Sequence, residues 1–193
     1  MPRDPLDQLH SIRFRKPGIG LKAVLNPDQE KNFSRFLINA LGPDIFVIST
    51  GLGLDIYYSN KEDCSVFIRN NLWLFQGTEE KSPSDILAEK NHGRDVLNYF
   101  GTVVNTLVSY PLLLLSCCKK FMKQYQSIAH KSRLHFLLYA SFQYHLQGLI
   151  TDAKVPYVKK IKKLLNESNA TDFEDFSNHE KLVNHFKKSQ NLN

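Results

Sequence analysis

Cysteine is scarce in this chain: three residues, Cys64, Cys117 and Cys118, two of them adjacent. An odd count without CxxC spacing suits neither a disulfide framework nor a thiolate metal site, and fits a reducing compartment such as the cytoplasm. The amino-terminal stretch MPRDPLDQLHSIRFRKPG lacks the apolar segment of a secretory signal. Internal repeats and low-complexity tracts are missing too. Phosphate-binding loops are excluded by pattern, because Gly18-Ile19-Gly20 and Gly51-Leu52-Gly53 match neither GxGxxG nor GxxxxGK[ST]. The seven histidines (His10, His92, His130, His135, His145, His179 and His185) make no HExxH. His130 and His135 point to different helical faces, and His135 and His145 diverge by about 80° of helical phase. Hence no metal and no cofactor is expected. Cys64 follows Glu62 and Asp63, whose charges oppose thiolate formation and argue against a nucleophile there.

Acidic residues are nearly missing from one long stretch. Between Lys119 and Lys163 stand ten basic residues (Lys119, Lys120, Lys123, Lys131, Arg133, Lys154, Lys159, Lys160, Lys162 and Lys163) against Asp152 alone. That segment carries +9 where the whole chain carries +6, so everything else sums to −3. Positive potential is concentrated in one region and selects an anionic partner.

What is present in quantity is apolar. With 193 residues, 42% hydrophobic and 11% aromatic, the chain can bury a substantial core and is expected to form one domain. Its longest uncharged run is Val96 to Cys118, closed by Lys119 and Lys120 and long enough, as one helix, to cross a bilayer. Asn98, Asn105, Thr102, Thr106, Ser109 and Ser116 are costly in hydrocarbon, and Pro111 would kink a single helix. The better reading is two buried helices, roughly Arg94 to Val108 and a second opening at Pro111 with Ser109 as cap. The same context, two cysteines after LLLLS and before two lysines, is compatible with S-palmitoylation if the helix is accessible.

Local patterns predict the rest. The first 25 residues are irregular, with a short strand near Ile12 to Arg15. Asn26, Pro27 and Asp28 start a helix whose Phe33, Phe36, Leu37, Ala40 and Leu41 share a face, stopped by Gly42. IFVIST (Ile45 to Thr50), LDIYYS (Leu54 to Ser59), CSVFIR (Cys64 to Arg69) and LWLFQ (Leu72 to Gln76) read as a meander of three or four antiparallel strands. Ser82-Pro83-Ser84-Asp85 predicts a short helix to about Lys90. Further helices are expected over Ser132 to Leu149, from Pro156 to about Asn166, and from Asn178 to about Lys188 after a Thr171/Glu174 capping box.

The expected architecture is α+β: an arm over 1–25, a helix with an antiparallel sheet over 26–80, and a helical bundle over 81–190 packed on the sheet. The order of helix, three strands and helix is similar to that of small secretion-chaperone subunits, over less than half of the chain and without a shared residue motif. Many such subunits are acidic, and this chain is basic.

Two groups of residues stand out as candidate sites. In VPYVKKIKKLL, Val155, Val158, Ile161, Leu164 and Leu165 recur at helical spacing, with Lys159, Lys160, Lys162 and Lys163 over the remaining surface. Together with Lys119, Lys120 and Lys123 they form an anion- or lipid-binding candidate. Arginine and aromatics are sparse there, which argues against sequence-specific nucleic-acid recognition. The second group is His92, Arg94 and Asp95 around Gly93, suited to anion binding or acid–base work. Taken together, these patterns predict a non-enzymatic interaction protein (an adaptor, a chaperone-like protein or an accessory subunit) that binds a protein partner. Alternatives are a peripheral protein on an anionic membrane, and an enzyme with a site near residues 91–95.

Overall fold

The computed structural model of the chain describes residues 5–17, 23–76, 86–151 and 156–169. It is an α+β protein with a four-stranded antiparallel sheet. The chain separates into two compact units, Met1–Val96 and Leu97–Asn193.

In the first unit, strand β1 (Leu9–Arg15) precedes helix α1 (Pro27–Leu41), strands β2 (Ile45–Ser49) and β3 (Leu54–Ser59), helix α2 (Ser65–Leu72) and strand β4 (Leu87–His92). Helix α1 starts where Asn26 and Pro27 place it. The Asn26 side chain accepts the Gln29 amide at 2.9 Å, and the Gln29 side chain accepts the Asn26 amide at 2.8 Å, a complete capping box. The chain leaves the helix at Gly42 with φ +103°, a conformation that favours glycine. Sheet order is β2-β3-β1-β4, so β1, first in sequence, lies between β3 and β4. Alternate residues Ile12, Phe14, Val47, Leu54, Ile56 and Tyr58 join Phe33 and Leu37 of α1 and Ile68 and Leu72 of α2 in one buried core.

Several expectations do not hold in this unit. CSVFIR is not a strand but the start of α2, with Ser65, Ile68 and Leu72 buried at helical intervals. Asp63 accepts the Ser65 amide at 2.8 Å and satisfies a first-turn donor, which overrides the strand preference of Val66 and Ile68. LWLFQ becomes a 3-10 turn, Trp73–Phe75. The sheet is therefore not a meander. Its fourth strand is β4, where a helix running to Lys90 was expected; Ala88, Glu89 and Lys90 favour helix locally, but pairing with β1 decides. The likeness in element order to secretion-chaperone subunits goes with the lost third strand. The Ser82–Asp85 cap and the Asn178–Lys188 helix lie outside the described residues.

Helix α3 (Arg94–Leu107) contains the division between the units. The second unit continues through α4 (Pro111–Ser127), α5 (Arg133–Thr151) and α6 (Val158–Asn169). The uncharged run divides at residues 108–110 as expected, with Tyr110 in the cap position in place of Ser109 and Pro111 in the first turn. No helix among the described residues is long and apolar enough to cross a membrane. Its core is aromatic. Phe121 and Phe142 stack at 4.2 Å, Tyr125 and Tyr139 at 4.3 Å, and Phe100 of α3 meets both Phe121 and Phe142. Gly101 is a close-approach point, because a methyl group there would overlap the His145 ring of α5.

Candidate functional site

The lysines singled out in the sequence fall on two helices of the second unit that pack on each other, α4 and α6. Along α4 the buried side holds Leu114, Leu115, Cys117, Cys118, Phe121, Met122 and Tyr125. The opposite stripe, at i, i+4, i+7 and i+11, is Leu112, Ser116, Lys119 and Lys123, and all four are exposed. Lys120 lies beside it, half-buried. On α6, Ile161 and Leu165 are buried while Lys159, Lys160, Lys162 and Lys163 are exposed. Apolar positions do the packing, so the charge is left on the outside. The Tyr157 carbonyl accepts the Lys160 and Ile161 amides at the start of α6, and its ring lies 5.6 Å beneath the Lys160 ammonium.

Charge follows the division into units. Residues 1–96 hold 12 Lys and Arg against 13 Asp and Glu, a net −1; residues 97–193 hold 13 against 6, a net +7. Cys117 and Cys118 are buried, and burial pushes the Cys118 thiol up to about 12. In this packing neither thiol is presented for acylation.

The second candidate group does not assemble. His92 ends β4 with its Nε2 2.8 Å from the Asp7 carbonyl, while Arg94 and Asp95 are exposed in the first turn of α3. No hydrogen bond or ion pair joins His92 to either of them. Instead its ring meets His10, centroid to centroid at 4.7 Å, and His10 stacks on Tyr58 at 5.1 Å. Strand register brings these three together, since His10 stands opposite both Tyr58 and His92.

A polar cluster that sequence reasoning missed lies next to them. The Tyr58 hydroxyl donates to Asp63 at 2.7 Å, and Lys90 reaches Asp63 at 3.3 Å and the Ser65 hydroxyl at 3.1 Å. Burial pushes the Asp63 carboxyl up, but donors from Tyr58, Ser65 and Lys90 outweigh it and hold the group well below the ordinary carboxylate range. Burial and the bond to Asp63 push the Tyr58 hydroxyl far up. Cys64 is also pushed up, by burial and then by Asp63 and Glu62, as its acidic neighbours imply. A carboxylate saturated by three donors is a poor acid or base, and Lys90 is engaged with Asp63 and Ser65. This cluster ties α2, β3 and β4 together. Only Asp63, two residues before a helix start, was a signal in the sequence; the partners depend on strand pairing.

Deeper in the same unit, Arg13 and Asp55 form a buried ion pair at 3.1 Å, with Thr50 3.3 Å from the guanidinium. Burial pushes the Asp55 carboxyl up to about 6 despite Arg13. A Cβ on Gly53 would come within 2.8 Å of Arg13 Nε and of the Phe14 carbonyl oxygen, so this pair also needs a glycine beside it. Among the described residues, no group of three or more His, Cys, Asp or Glu side chains is placed to hold a metal ion.

No protein-family model, curated protein or solved structure matches this chain.

Proposed function

We propose that this chain is a cytoplasmic, non-enzymatic interaction protein whose helical unit binds an anionic surface of a partner. One observation carries the reading: six lysines, Lys119, Lys123, Lys159, Lys160, Lys162 and Lys163, are exposed on two helices that pack on each other and whose apolar sides are buried. The unit bearing them holds the whole positive excess of the chain. Such a layer raises the local concentration of anions and speeds encounter with them. An adaptor or accessory-subunit role fits this arrangement, and an acidic protein is one partner that it would attract. The polar cluster around Asp63 and Tyr58 supports a non-catalytic reading, because its hydrogen bonds are spent within the fold.

Binding of polyglutamate tests the proposal. The chain should bind it with an affinity that falls as salt rises, and the quadruple substitution K159E/K160E/K162E/K163E should abolish binding without loss of helical signal. Equal binding by the variant would refute the assignment of the surface.

A further inference from the structure

Resting on that reading, we propose that the anionic surface is a phospholipid membrane face, onto which α4 and α6 lie with Tyr110 and Leu112 at the level of the headgroups. Every basic residue of α4 and α6 is lysine, and neither helix contains arginine. Arginine is enriched at protein interfaces and reads carboxylate or phosphate through a planar fork, whereas lysine is a compact hydrated point charge and is depleted at protein interfaces. An all-lysine layer suits a diffuse anionic field more than a partner with fixed acceptors.

The second observation is apolar exposure in that layer. Leu112 is 68% exposed and Tyr110 44% exposed, at the turn between α3 and α4. Leu112 heads the same outward stripe of α4 that carries Lys119 and Lys123, within about 20° of helical phase of Lys119. Tyr157, with Lys160 over its ring, opens α6 and is also exposed. Exposed leucine and tyrosine beside lysine match the composition of a helix lying in a membrane interface, with apolar groups among the acyl boundary and ammonium groups among phosphates. Together they give the electrostatic attraction and apolar insertion that a peripheral contact combines.

Flotation of the full chain with phosphatidylcholine vesicles and with phosphatidylserine-rich vesicles tests this, with polyglutamate binding measured in parallel. The chain should float only with the serine lipid and detach as salt rises. Each of Lys119→Gln, Lys123→Gln and Lys159→Gln should lower partitioning about fivefold. Leu112→Ser should lower it about tenfold at every salt concentration while leaving the salt dependence and polyglutamate binding unchanged. Its side chain is exposed, so the variant should fold normally, and circular dichroism checks that. Polyglutamate binding without flotation would overturn the membrane proposal and leave the anionic-partner reading standing. Absence of both would overturn both. Flotation unaffected by Leu112→Ser would refute the placement of the α3–α4 turn at the headgroups.

Discussion

Arg13 and Asp55 show at the scale of one residue pair how much polar chemistry this fold spends on itself. Both are buried, and Asp55 accepts from Arg13 and from the Thr50 hydroxyl. Removing one partner strands the other charge in a low-dielectric interior, which costs more than the pair contributes. Arg13→Ala should therefore cost about 3–5 kcal/mol in urea-induced unfolding. The double variant Arg13→Met/Asp55→Leu should recover most of that loss, since apolar replacement of a buried pair is often neutral. A double variant as unstable as Arg13→Ala would show that Arg13 acts through contacts other than Asp55.

At the scale of elements, β4 is an edge strand joined to the sheet through β1 alone, and side chains reinforce the join at both ends. Arg15 pairs with Glu89 near one end, and His10 meets His92 at the other. The His10 imidazole faces Tyr58 on β3, His92 on β4, the Asn60 carbonyl and, further off, Asp63. Burial and then His92 lower its pKa from the ordinary 6.5, with Asn60 and Asp63 opposing. A group with a lowered folded pKa contributes stability above its unfolded value and loses it as pH falls through the folded one. Asp55, raised to about 6, acts in the opposite sense: its contribution is present below its ordinary 3.8 and lost as pH rises through 6. Comparison with His10→Phe cancels the Asp55 contribution and retains a ring against Tyr58. From about pH 7 to about pH 5 the wild type should lose more stability than the variant. Equal losses would show that His10 titrates no differently in the folded and unfolded chains.

Elements also show what was legible in the sequence and what was not. Helix α1 was readable because every signal is local: Asn26 caps, Pro27 suits a first turn, and Gly42 takes the positive φ at the end. The division of Val96–Cys118 was readable for the same reason, since Pro111 has no amide to donate and is tolerated only in a first turn. Strand β4 and helix α2 were not, because long-range partners decide them. LAEKNH is a strand through its pairing with β1, and SVFIRNNL is a helix that buries Ser65, Ile68 and Leu72, with the Ser65 amide held by Asp63. The lysine candidates were located by composition; six of the seven are exposed and Lys120 is half-buried. His92, Arg94 and Asp95, close in sequence, are kept from converging by the turn at Gly93, φ +62°, which ends the strand and starts α3.

The whole molecule is organised by charge. A nearly neutral sheet unit, −1, is followed along the chain by a helical unit carrying +7, which has exposed lysines and a core of stacked aromatic rings. Because the charge sits on surfaces that packing does not use, reversing it should leave stability nearly unchanged while removing the attraction. Folding and binding would then draw on separate residues. Hydrogen exchange of the full chain, with and without phosphatidylserine-rich vesicles at low salt, tests this most directly. New protection should be confined to segments 110–123 and 157–165, with exchange in β1, β3 and α1 unchanged. Protection centred on residues 5–76 instead would contradict it.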